Sequence, residues 1–256
     1  MKKNYLYFSL SILALLLSSC GGGGRSRTSR IITSDYSLPK GELTLNEFKD
    51  VVFNAVEVEK ELMSKAKVSI PSQGQEMLMT VYKNGYYQAS QDVSAFDYGY
   101  NEVNLYAYSN SDYSRNYYVY EEDGVLEDTI YEYNSSEYND PYIMVYGYGQ
   151  IGTNPAAFVA CYSGLGMNDP GIIEPDDMRI GDDDHLYFTI RNYGNSEGMN
   201  LFFDVTLTSF GGFSKIEMYF DDNVMFQNNE KIYFYSLFNE RNDPPQKLID
   251  IFRQYN

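Results

Sequence analysis

His185-Leu186-Tyr187-Phe188-Thr189-Ile190-Arg191-Asn192 and Met199-Asn200-Leu201-Phe202-Phe203-Asp204-Val205-Thr206-Leu207-Thr208 alternate apolar with polar residues. Side chains of an extended chain point to opposite faces in turn, so a period of two marks a strand with one buried face. Leu186, Phe188 and Ile190 share a face, as do Leu201, Phe203, Val205 and Leu207. The pattern continues through Phe213 to Phe220 (Ile216, Met218 and Phe220 inward) and Glu230 to Ser236 (Ile232 and Phe234 inward). Glycine- or asparagine-bearing turns separate these runs, which predicts an antiparallel meander with one apolar face.

Working back toward the N-terminus, strands are expected over Tyr142–Tyr148, Val125–Tyr133, Arg115–Glu121, Val103–Ser109, Tyr86–Ser90 and Glu76–Lys83. Asn84-Gly85 joins the last two as a tight hairpin, and Glu122-Asp123-Gly124 makes another turn. Ahead of them lies a helical pattern. Thr44-Leu45-Asn46-Glu47 reads as a capping box, followed by Phe48, Val52, Ala55, Val56, Leu62, Met63 and Ala66 at helical spacing, with Pro71 as the latest end. Asp243, Pro244 and Pro245 open a last helix through Leu248, Ile249 and Phe252. The expected fold is therefore α+β: a curved, half-barrel-like antiparallel sheet with an N-terminal helix and a short C-terminal helix. About nine or ten strands must curl to keep one face dry, with the long helix against the concave side.

The first residues read as export machinery. Lys2 and Lys3 precede an apolar run from Tyr5 to Leu17, then Leu17-Ser18-Ser19-Cys20 and Gly21 to Gly24. The run is too short for an anchor helix and reads as a signal peptide. Leu17 to Cys20 resembles the bacterial lipobox. That resemblance implies diacylation of the Cys20 thiol, cleavage before it, and lipid anchoring outside the cytoplasm, at the cell membrane or the outer membrane. Residues 1–19 are then signal peptide, 20–40 a lipidated cysteine with a flexible Gly/Arg/Ser tether, and 41–256 a single domain.

Charge excludes one class of partner. The chain carries −17, and its first forty residues are basic, with six cations against Asp35. The remainder is strongly acidic, which repels phosphate backbones and argues against nucleic acid; taken as a whole, such a domain is also repelled by an anionic membrane. With 27 Tyr, 15 Phe and no Trp, the composition suits strands with a tyrosine-covered face. Of two cysteines, Cys20 goes to lipid, so Cys161 has no partner and no disulfide framework forms.

No constellation of catalytic residues is legible. Gly147-Tyr148-Gly149-Gln150-Ile151-Gly152 has dinucleotide-loop spacing but antiparallel surroundings, so it reads as a strand end and glycine turn. Tyr162-Ser163-Gly164-Leu165-Gly166 lacks the glycine two before the serine that a nucleophile elbow needs. The one histidine, His185, reads as an ordinary exposed residue at a strand start. Asp169, Glu174, Asp176, Asp177, Asp182, Asp183 and Asp184 read as a solvated acidic loop. A calcium site on Asp182, Asp183 and Asp184 is the alternative, since calcium takes oxygen ligands. No cofactor is expected.

The order helix, long antiparallel sheet, short helix resembles the LolA-like lipoprotein carriers, whose curved half-barrel holds acyl chains. The resemblance is one of element order and patterning; no residue motif supports it, so no binding residue is carried over. It implies a non-enzymatic lipoprotein binding a hydrophobic ligand or lipid in its curved sheet. The alternative is an envelope interaction or structural protein acting through its tyrosine-rich face, and a hydrolase comes third. Expected partners are the membrane through Cys20, and a hydrophobic ligand or an envelope protein.

Overall fold

A computed structural model describes residues 37–94, 99, 101–110, 115–134, 155, 156, 159, 163, 175–191, 200–220 and 231–255. In chain order the elements are β1 (Gly41–Glu42), α1 (Leu45–Leu62), β2 (Met63–Ile70), β3 (Gln75–Val81), β4 (Tyr86–Asp92), β5 (Glu102–Ser109) and β6 (Arg115–Glu122). Then come β7 (Val125–Leu126), β8 (Tyr131–Asn134), β9 (Asp176–Ile180), β10 (His185–Ile190), β11 (Leu201–Leu207), β12 (Phe213–Phe220), β13 (Lys231–Phe238) and α2 (Gln246–Ile251). The strands form one curved, unclosed antiparallel sheet in the order β1-β9-β10-β11-β12-β13-β2-β3-β4-β5-β6-β7, with β8 also on β6. The expected α+β class is what the chain adopts.

Two local meanders, β2 to β6 and β9 to β13, are joined by pairing β13 with β2, which sets Tyr233 opposite Ser69 and Phe234 opposite Val68. Helix α1 makes a long connection, from β1 at the sheet edge to β2 near its middle. Its 18 residues span about 27 Å, close to the roughly 29 Å of six interstrand spacings it must cross. The capping box forms as read: Glu47 N–H donates to Thr44 Oγ1 at 3.3 Å, and Thr44 N–H donates to Glu47 Oε2 at 2.8 Å.

Helix α1 buries Phe48, Val51, Val52, Ala55 and Val58 against one face of the sheet, called here the front. Phe48 meets Phe188 edge-on at 4.9 Å, and Phe188 stacks on Phe203 at 4.4 Å. The core runs on through Val68, Met79, Ala89 and Leu105. Gly212 lies under α1 where a Cβ would come within 2.7 Å of Val58 Cγ1, so the close approach requires glycine. A second cluster lies on the opposite, back face at the β4–β6 end. There Leu248 and Phe252 cover Tyr86, Tyr106, Tyr108, Tyr117 and Val119.

Three expectations are corrected. The first helix stops at Leu62, and Met63–Ile70 is a strand in mid-sheet. Three residues apart, Met63 and Ala66 fit the helical period and not a strand's, but Ala66 and Val68 alternate with Lys65 and Lys67, and β13 and β3 satisfy the backbone on both sides. Arg241 terminates the helix by donating to the carbonyls of Met63 at 2.8 Å, Glu59 at 3.1 Å and Lys60. Glu59 and Lys60 are last-turn acceptors; the Glu59 carbonyl also takes the N–H of the C-cap Met63, and the guanidinium spans from it to Met63 just past the helix end. The strand expected over Val125–Tyr133 is split into β7 and β8, because Ile130 leaves the ladder to pack on the back-face cluster. Part of the expected acidic loop is β9, whose Ile180 is buried and pairs with Leu186. The strand expected over Tyr142–Tyr148 lies outside the described residues. Among those residues no helix is long and apolar enough to cross a membrane.

Candidate functional site

With α1 on the front and α2 on one end of the back, the back face of β12, β13, β2 and β3 has no covering element among the described residues. Alternation and register decide what it displays. Lys215, Tyr235, Lys67 and Leu78 form one cross-strand row, and Glu217, Tyr233, Ser69 and Glu76 the next. Leu237, Lys65 and Thr80 form a third, and Tyr219 pairs with Lys231. Leu78 and Leu237 are each 52% exposed and Tyr235 is 37% exposed. Isolated exposed apolar residues are ordinary, but these three are neighbours around two lysines in the middle of a sheet.

The charges on this face are partly matched. Lys231 and Lys215 both bind Glu217, and Lys67 binds Glu76. Partial burial pushes the Glu217 carboxyl up, but the two ammonium groups outweigh it and hold it below the usual carboxylate range. The hydrogen bond to Glu217 in turn raises Lys231. Both lysines also lie over tyrosine rings, Lys215 5.2 Å from the Tyr233 centroid and Lys231 5.7 Å from Tyr219. Four lysines against two glutamates make this a cationic island on an acidic chain.

Toward β10 the same face carries the histidine. His185 Nδ1 lies 2.6 Å from Asp204 Oδ1, and its Nε2 lies 3.4 Å from Thr206 Oγ1. An ionised carboxylate only accepts, so Nδ1 carries a hydrogen, and in the neutral imidazole Nε2 is then the atom left to accept from the hydroxyl. This order of groups can activate a hydroxyl. Here the 3.4 Å contact is long, and the adjoining Asp182-Asp183-Asp184 turn opposes a developing oxyanion. The imidazole is half-buried beside Tyr187, on whose ring Arg179 packs at 4.9 Å.

The turn between β9 and β10 places the three calcium candidates apart in role. Asp184 binds Lys40, which also donates to the Gly181 carbonyl at 2.8 Å. Asp183 accepts from His185 N–H at 3.3 Å and Tyr187 Oη at 3.2 Å. Asp182 is exposed. Asp176 and Asp177 pair with Arg191. Among the described residues, no three His, Cys, Asp or Glu side chains converge to hold a metal.

Ser163 is buried, and its Oγ has no hydrogen-bond partner among the described residues. Cys20, Cys161, Asp169, Glu174 and the Gly147–Gly152 string lie outside the described residues. The sequence reading passed over Lys65 and Lys67, assigned to the helical segment, and Leu237, one residue past its last strand. The local signal was short: only Lys65-Ala66-Lys67-Val68 alternates, and Met63-Ser64 breaks the period. No protein-family model matches the chain, and no curated protein matches it.

Proposed function

We propose that this is a non-enzymatic lipoprotein of the bacterial envelope, anchored through Cys20, that works through the uncovered back face of its sheet. One observation carries the choice between internal and surface binding. The front face is packed, with Phe48, Val52 and Ala55 of α1 fully buried and Met79, Ala107 and Phe203 of the sheet nearly so, while Leu78, Tyr235 and Leu237 remain open on the back. A filled front face favours the surface reading over a ligand held inside the curved sheet. The long Thr206 contact and the acidic turn beside His185 make a hydrolase the poorest fit. The anchor rests on the lipobox-like Leu17 to Cys20 and its preceding apolar run.

Mass spectrometry of the protein purified from cells tests both parts. The expected mature chain begins at Cys20 with an acyl mass on it and carries no further lipid under native conditions. An unacylated chain retaining residues 1–19 overturns the anchor. Stoichiometric lipid that resists solvent exchange overturns surface binding in favour of an internal carrier.

A further inference from the structure

We infer that the surface met by the back face of β12, β13, β2 and β3 is an anionic bilayer, so that the domain lies sheet-down on the membrane. The inference rests on the surface-binding reading above and names its occupant. All four strands are hydrogen-bonded on both sides, so nothing can add to them through the backbone; recognition is by side chains alone. Those side chains have interfacial chemistry. Leu78 and Leu237 supply exposed aliphatic surface, and Tyr219, Tyr233 and Tyr235 supply rings with polar tips. Lys65, Lys67, Lys215 and Lys231 supply cations on flexible apolar stems.

Charge complementarity favours lipid. Every lysine here sits in or beside a row holding an exposed apolar residue or a tyrosine, as expected where headgroup and acyl regions are met together. The cores of protein–protein interfaces are depleted in lysine, which places a protein partner second. The acidic groups elsewhere, such as Asp182 to Asp184 on the β9–β10 turn, oppose the contact only at short range, because ions screen charges within about 8 Å at physiological salt. Among the described residues, Asp204, paired across strands with Glu217, is already engaged by His185.

The chain has no tryptophan, so a single introduced one reports on one place. The full chain carrying Leu78→Trp, or separately Leu237→Trp, is reconstituted into vesicles of phosphatidylcholine alone or equimolar with phosphatidylglycerol, with brominated acyl chains as quencher. Val125→Trp, an exposed position on β7, is the control. Flotation of the same samples reads the anchor. Expected are blue-shifted, quenched emission at 78 and 237 in anionic vesicles only, and solvent-like emission at 125. Adding Lys65→Glu and Lys67→Glu should weaken docking at least about fivefold per lysine. A chain that floats while position 78 stays solvent-like overturns the inference, leaves the anchor standing, and returns the face to a protein partner. A chain that does not float overturns both. Equal quenching at 125 also overturns it.

Discussion

Glu59, fully buried in α1, receives the backbone N–H of Ala156 on both carboxylate oxygens, at 3.1 and 3.0 Å. A helix otherwise packed by apolar groups thus holds the distant segment at residue 156 through one acid. Burial pushes this carboxyl well above its usual value of 4.5, more than the Ala156 hydrogen bond lowers it.

A raised carboxyl binds its proton more tightly in the folded chain than in the unfolded one. The stability it contributes is therefore complete below about 4.5, the unfolded value, and is lost as pH rises through the folded value. Glu59→Gln keeps an acceptor for Ala156 and removes the titration. The difference in Tm between the variant and the parent should grow in the variant's favour from pH 4.5 upward. A constant difference would show that the acid is not titrating in the fold.

Gly85 has φ +76°, and a Cβ there would stand 2.1 Å from the Ser109 carbonyl oxygen of β5. Gly85→Ala therefore pays both for a left-handed backbone and for a backbone collision. The expected loss is at least about 2 kcal/mol, or roughly 5 °C in Tm for a chain of this size. The matching change at Gly74, also at positive φ but with open space around it, should cost about 1 kcal/mol. Denaturant titration of the pair separates collision from strain.

Helix α2 is held by Lys247, which binds Glu121 and donates to Tyr106 Oη at 3.0 Å, and by fully buried Phe252. Phe252→Ala should cost about 3–5 kcal/mol. Lys247→Met leaves Glu121, buried in the sheet, with only the Tyr106 hydroxyl donating to it among the described residues, at 2.9 Å, and should cost about 1–2 kcal/mol. Either change should speed proteolysis after Pro245 before the sheet itself melts; simultaneous cleavage throughout would show that α2 is no separate unit.

Thr44→Ala removes the hydroxyl that accepts from Glu47 N–H and should cost about 1 kcal/mol. The Glu47 carboxyl is held below its usual range chiefly by the Thr44 backbone N–H and then by its hydroxyl. A lowered carboxyl stabilises above its unfolded value, and that stability is lost as pH falls through the folded one. The penalty of Thr44→Ala should accordingly shrink in acid, as guanidinium melts at two pH values would read.

Strands with one dry face were legible because each position had a single environment. Leu201, Phe203, Val205 and Leu207 face α1 throughout, and their alternation is uninterrupted. Where two periods overlap, tertiary pairing decides. Leu62, Met63 and Ala66 satisfy a helical stripe, and only the hydrogen bonds to β3 and β13 make Met63–Ile70 a strand. Strand β9 was hidden by Asp176, Asp177 and Arg179, whose charges face out from a five-residue strand. The back-face island was illegible for the same reason as β2: Lys65 and Lys67 meet Tyr235 and Leu78 only through a register that no local pattern specifies.

That register has a kinetic consequence. Strand β2 pairs on one side with the chain's last strand, Tyr233 opposite Ser69. The contact closes a very long loop, and such non-local pairings slow folding. During synthesis the β13-facing edge of β2 has no partner until residues 231–238 have emerged. Until then β2 to β6 is a half-sheet with an open edge, vulnerable to pairing with another chain. Emergence of β13, and not of any earlier unit, is the step that closes the sheet across β2.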